Sequence, residues 1–208
     1  MRLLVFARAP TPGRAKTRLA RGVGVEGAAA LYEAFLRDGV ATAQRVGPTE
    51  LHAAEEADAP WLEAAFPGLP VRVQRAGDLG TRMAAALDEV DGPALLLGSD
   101  LPTLPEGHLR RAAAALAEDT SRPVLGPSAD GGFYVLGAAR PLGDRLRQVP
   151  WSEARTLAET RRALGPTQTA DPWYDVDVAA DLALLRTDLL LRPGAAPRTR
   201  RAMEARGF

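Results

Sequence analysis

Short apolar runs alternate with longer amphipathic ones from the first residues to about position 190. RLLVFA (Arg2–Ala7) is a nearly unbroken apolar run, the pattern of a strand covered on both faces. ALLL (Ala94–Leu97), stopped by Gly98, predicts a central parallel strand in the same way. Shorter strand candidates lie at 71–74, 123–125 and 133–136, and His52 sits in another. Between them, residues 26–46 place Ala30, Leu31, Ala34, Phe35 and Val40 at helical spacing. Further helices are predicted over 78–90 with Asp78 as N-cap, 105–116, 152–164 with Ser152 as N-cap, and 179–190. Strands alternating with helices predict an α/β fold: a mostly parallel central sheet with helices on both faces.

The domain is expected to span 1–191. An Arg-rich tail, 192–208, follows, with five arginines against one glutamate among Pro, Gly and Ala. A loosely held terminus is the expectation for such an end; lying over an anionic ligand is the alternative.

Charge and composition narrow the function. The 26 basic and 26 acidic residues cancel, which argues against a nucleic-acid partner. Cysteine is absent, which excludes disulfides, thiol nucleophiles and Cys-based zinc sites. The start is too short for a signal peptide, and no apolar run approaches the ~18 residues of a membrane span. The expectation is therefore a soluble cytoplasmic protein without a membrane partner. Asparagine and isoleucine are missing, and Lys16 is the one lysine in the chain. An ammonium is a compact point charge suited to phosphate oxygens, which an arginine fork does not freely replace.

Ligands of open α/β sheets bind at the carboxyl ends of the strands, so the polar residues after each predicted strand carry the candidate chemistry. The first loop, RAPTPGRAKTRL (8–19), holds Arg8, Arg14, Lys16 and Arg18 with Gly13 and the Thr17 hydroxyl. Several cations at a helix start suit a polyphosphate. The loop is not a Walker motif, since Pro10 and Ala15 stand where glycines are needed. A solvated basic loop is the plainer alternative. In GSDLP (98–102), Asp100 directly follows the most apolar strand and could hold a divalent cation through a hard oxygen, or form an Asx-turn before Pro102. Asp175 and Asp177 point the same way if extended and could share a cation, or cap the helix near 179. In 130–132, Asp130 lies beside Gly131 and Gly132, which allow close backbone approach or a plain hairpin turn. Neither His52 nor His108 has a catalytic partner in sight. Of the tryptophans, Trp151 is best placed to line a pocket.

Taken in order, FARAPTPGRAKTRLA, GDLGTRM, GSDLP, GPSADGGFYVLG, VPWS and DVDVAADL resemble the DUF2064 glycosyltransferase-like family, over nearly the whole chain from Arg2 to about Leu190. That family resembles a branch of the nucleotide-diphospho-sugar transferase, or GT-A, superfamily. It is similar in outline to 2-phospholactate guanylyltransferases and, more distantly, to molybdenum-cofactor nucleotidyltransferases. The resemblance implies that Gly13, Arg14, Lys16 and Arg18 hold nucleotide phosphates, that Asp100 holds the metal, and that Asp177 completes the metal site. Mg²⁺, or Mn²⁺, is the implied cofactor, and Lys16 and Asp100 the implied catalytic residues. Arg8, Thr17, Asp78, Asp130, Gly131 and Gly132 complete the candidate binding set. The family often has lysine at the position of Arg8 and tyrosine at that of Phe133.

Three readings of function follow. Nucleotidyl transfer from a nucleoside triphosphate to a small phosphorylated acceptor is favoured by the cationic loop. Glycosyl transfer from a nucleotide sugar is favoured by the family resemblance. A non-catalytic nucleotide-binding module leaves the carboxylates at the strand ends without a purpose.

Overall fold

The computed structural model describes residues 1–208. Its elements are β1 (Arg2–Ala7), α1 (Thr17–Val23), α2 (Val25–Val46), β2 (Thr49–Ala53), α3 (Ala59–Ala65), β3 (Val71–Val73), α4 (Leu79–Asp88), β4 (Ala94–Leu97), α5 (Glu106–Glu118), β5 (Val124–Pro127), β6 (Phe133–Ala138), α6 (Thr156–Leu164), β7 (Gln168–Thr169), α7 (Asp181–Leu191) and α8 (Pro197–Glu204). No helix is long and apolar enough to cross a membrane.

The strands form one seven-stranded sheet in the order β3-β2-β1-β4-β6-β5-β7. All neighbours are parallel except β6, which runs against both β4 and β5. The apolar runs of β1 and β4 are buried because the sheet is covered on both faces. Leu3 and Val5 pack toward Leu36 of α2 and Leu109 of α5, whereas Leu4 and Leu96 pack toward Met83 and Leu87 of α4. Alternation along a strand thus divides the apolar side chains between two cores. A third core lies away from the sheet, where Leu19, Phe35, Leu185 and Met203 join α1, α2, α7 and α8.

Asp78 caps α4 as predicted, its carboxylate accepting the Thr81 N–H at 2.7 Å. Ser152 does not cap α6. It takes a left-handed φ of 63°, and the helix begins at Thr156 with no side-chain cap. Neither Asp175 nor Asp177 caps α7: Asp181 reaches back to accept the Asp177 and Val178 N–H groups at 2.7 and 2.8 Å. The loosely held terminus is also corrected. Residues 197–204 form α8, whose Thr199 and Met203 are buried. The buried Asp38 carboxylate on α2 anchors it by accepting the Thr199 N–H at 2.8 Å.

Candidate functional site

The chain leaves β1 through residues 8–16, and its path is fixed by two long-range bonds. The Arg8 N–H donates to the Tyr32 hydroxyl at 3.0 Å, and the Ala9 N–H donates to the buried Asp58 carboxylate at 3.0 Å. Tyr32 also shares a 2.8 Å hydrogen bond with Ser99 in the loop after β4. Burial pushes the Tyr32 hydroxyl above its ordinary pKa, so it stays protonated and ties the two loops together. Gly13 (φ 79°) and Lys16 (φ 50°) both adopt left-handed backbone, which turns the chain into α1. That helix has seven residues, so charge at this loop comes from side chains more than from a helix dipole.

The central feature is a buried ammonium between two carboxylates. Lys16 Nζ donates to Asp100 Oδ2 at 2.7 Å and to Asp177 Oδ1 at 3.3 Å. Its side chain is 7% exposed, against 28% for Asp100 and 32% for Asp177. Burial opposes the charge on Lys16, but Asp100 and then Asp177 outweigh it and hold the pKa above the ordinary lysine value. Arg18 also pairs with Asp177. The two acidic loops are joined through the backbone, since the Val176 N–H donates to the Asp100 carbonyl at 3.0 Å. A Cβ on Gly98 would lie 2.8 Å from Asp100 Oδ1, so a larger residue there would press on that carboxylate.

Asp175, two residues before Asp177, accepts the Ser128 hydroxyl at 2.7 Å. Burial, then the nearby Asp100, pushes its carboxyl above the usual range, against the pull of that hydrogen bond. No group of three acidic or histidine side chains is arranged to hold a metal.

Two cavities meet at the Asp100–Asp177 pair. The first, about 330 Å³, is rimmed by Arg8, Arg14, Lys16, Thr17, Arg18 and Arg82. Glu55, in the loop after β2, accepts Arg14 at 2.6 Å and lies 3.7 Å from Arg8, so it holds both guanidiniums at the rim. The second, about 490 Å³, is lined by Asp130, Gly132, Phe133, Trp151, Glu153 and Asp175, among others. Phe6, Arg18, Leu79, Asp100 and Asp177 belong to both.

The fold thus gathers Arg8, Arg14, Lys16, Thr17, Arg18, Asp100, Asp130, Gly132 and Asp177 around one cleft. It does not bring Gly13, Asp78 or Gly131 to the cavity walls. Gly13 forms the left-handed turn, Asp78 is spent on its helix cap, and Gly131 packs where a Cβ would meet the Ala154 carbonyl at 2.2 Å. Sequence reasoning missed Tyr32, Glu55, Arg82 and Ser99. Tyr32 lies inside α2, away from any strand end. Glu55 follows β2, whose polar Glu50 and His52 partly hide it as a strand. Arg82 and Ser99 lie inside the segments GDLGTRM and GSDLP, near the aspartates singled out there. His52 and His108 lie outside the cleft.

A family model described as "Uncharacterized protein conserved in bacteria (DUF2064)" matches residues 38–153. A candidate nucleotide-diphospho-sugar transferase from Desulfovibrio desulfuricans G20 is 30% identical, with a TM-score of 0.86 over 98% of this chain and 95% of that one. CMP:2-keto-3-deoxy-manno-octonic acid synthetase complexed with CTP is 12% identical, with a TM-score of 0.58 over 91% of this chain and 98% of that one. Rv0371C of Mycobacterium tuberculosis H37Rv, in complex with manganese, is 19% identical, with a TM-score of 0.54 over 91% and 97%. The last two show a shared fold. No curated protein sequence matches the chain.

Proposed function

The chain belongs to the DUF2064 family, and we propose that it is a metal-dependent transferase that draws its group from a nucleotide-activated donor. The observation that carries this is the convergence of Asp100 and Asp177 on one cation, beside a cavity rimmed by Arg8, Arg14, Arg18 and Arg82. Two carboxylates that tolerate a shared ammonium fit a divalent ion that keeps few protein ligands and fills its shell with water and phosphate oxygens. Mg²⁺ or Mn²⁺ would be held by Asp100 and Asp177. Such an ion neutralises charge developing on a leaving phosphate. The arginines and Lys16 bind the phosphates and stabilise that same charge.

The walls of the second cavity bear on the reaction. A phosphorylated acceptor, favoured by the sequence alone, would face Asp130, Glu153 and Asp175 with Arg18 as its one basic neighbour. Charge repulsion therefore supports glycosyl transfer to a hydroxyl. The acceptor oxygen bonds to the anomeric carbon of a nucleotide-diphospho-sugar. The bond from that carbon to the diphosphate breaks with its electron pair on the departing oxygen, and the hydroxyl proton passes to solvent. The name of the 30% identical relative supports the same choice. Nucleotidyl transfer is the second reading, supported by the five basic side chains on the donor side, a surplus suited to a triphosphate.

Product analysis tests this. With Mg²⁺ and a panel of nucleotide sugars, the protein is expected to release nucleoside diphosphate, and Asp100→Asn to abolish the release. Pyrophosphate from a nucleoside triphosphate, without nucleoside diphosphate from any sugar donor, assigns nucleotidyl transfer. Neither product from any donor rejects both.

A further inference from the structure

The second cavity is charged oppositely to the first, and its charges are not all accounted for by the donor. Asp100 and Asp177 face Lys16. Glu153 is held by Arg155 at 2.7 Å. Asp130 and Asp175 remain, and their partners are neutral: the Gly132 N–H at 2.8 Å and the Ser128 hydroxyl at 2.7 Å. The one basic side chain on these walls, Arg18, already faces Asp177.

An aromatic wall completes the cavity. Trp151 and Phe133 meet edge to face with centroids 6.3 Å apart. The Trp151 ring is seated on Gly80, where a Cβ would come within 2.7 Å of it. The segments bearing Asp130 and Trp151 are locked together, since a Cβ on Gly131 would meet the Ala154 carbonyl and the Leu157 N–H donates to the Gly131 carbonyl at 3.0 Å. Carboxylates lacking a cation beside a fixed aromatic wall are the chemistry that selects an ammonium, by charge-assisted hydrogen bonding to the carboxylates. A phosphate would meet repulsion on the same walls.

We propose that the acceptor is a hydroxylated small molecule carrying a protonated amine, its ammonium drawn to Asp130 and Asp175 and its apolar face laid on Trp151. The inference rests on the transferase reading for the word acceptor; the charge selectivity of the cavity is a separate property and is measured separately.

Three matched probes, glucosamine, glucose and glucose 6-phosphate, are titrated into the free protein at a pH where the amine is protonated. The indole N–H resonance of Trp151, identified with Trp151→Phe, reports occupancy of this cavity. Glucosamine is expected to bind about tenfold more tightly than glucose, the size of a charge-assisted hydrogen bond, and glucose 6-phosphate to leave the resonance unmoved. Asp130→Asn should remove most of the advantage of glucosamine and leave glucose unchanged. Glucose 6-phosphate moving the resonance as readily as glucosamine, glucosamine binding no better than glucose, or no response to any probe overturns the proposal. Donor turnover in the product analysis stands or falls independently of this titration.

Discussion

The ammonium of Lys16 donates to the Asp100 carboxylate at 2.7 Å, across a separation of 84 residues in the chain. With Asp177 on its other side, the lysine occupies the position that two clustered carboxylates would otherwise require a metal to fill. Like-charge repulsion in the protein alone is thereby relieved by the chain itself. If donor phosphates and a divalent cation bind as proposed, an exchange would follow: Asp100 and Asp177 would hold the cation, and Lys16 would pair with the phosphates.

On the proposed function, Lys16 would oppose metal binding in the absence of nucleotide and support nucleotide binding in the presence of metal. Lys16→Ala is expected to raise Mn²⁺ affinity of the nucleotide-free protein roughly tenfold, as a competing charge is removed, and to lower nucleotide affinity by about tenfold. Lys16→Arg should recover part of the nucleotide affinity. Calorimetric titrations of Mn²⁺ and of nucleotide check both signs. A fall in metal affinity for the alanine variant would contradict the exchange.

Asp177→Asn removes a partner from both Lys16 and Arg18. Were the carboxylates simply repelling each other, the variant would gain stability without metal. With the ammonium between them it is expected to lose about 1 kcal/mol, a figure held low because Asp177 is a third exposed. Urea midpoints in chelator give the answer, and a rise would contradict the ion-pair account.

His52 is buried on β2, stacked near Phe6, with Glu50, Arg72 and Glu89 as its charged neighbours. Burial, aided by Arg72 and opposed by Glu50, lowers its pKa below the ordinary 6.5. The Glu50 oxygen that lies 3.1 Å from His52 is also bonded to Arg72 at 2.6 Å. A depressed folded pKa means the unfolded chain binds the proton more readily. Its contribution to stability is thus present above pH 6.5 and is lost as pH falls through the folded value. Stability should decline from pH 7.5 toward 5.5, and His52→Gln should flatten that slope. An unchanged slope in the variant would refute the assignment.

Met203 is 2% exposed in α8 and belongs to the core shared by α1, α2 and α7. Met203→Ala should cost about 2–3 kcal/mol, measurable as a shift in the denaturation midpoint. A terminus without structural weight would show no change.

The strands β1 and β4 and the loops that follow them were legible because burial on both faces writes itself as an apolar run, and an abrupt change to charge marks its end. β2 was only half legible. Glu50 and His52 are buried there by ion pairing and stacking with Arg72 and Phe6, which breaks the apolar pattern. α8 was misread because its sequence, PRTRRAME, is mostly polar. It is held by Met203 and by a carboxylate on a helix 160 residues earlier, which no local window contains. At the site, the motifs named Lys16, Asp100 and Asp177 separately. That the lysine stands between the two acids depends on how three loops close on one another. The acidity of the second cavity has the same origin, since Asp130, Glu153 and Asp175 belong to three different segments.

The most direct test of the central claim is a thermal-denaturation screen of nucleoside diphosphates, nucleoside triphosphates and nucleotide sugars, each with and without Mg²⁺ or Mn²⁺. A ligand at about a hundred times its Kd adds about 2.7 kcal/mol, which in a chain of this size raises Tm by roughly 5–10 °C. At least one nucleotide is expected to give such a rise in the presence of the metal, a much smaller one without it, and neither in Asp100→Asn. A rise that is independent of metal and unchanged in Asp100→Asn, or no rise with any nucleotide, would contradict the account.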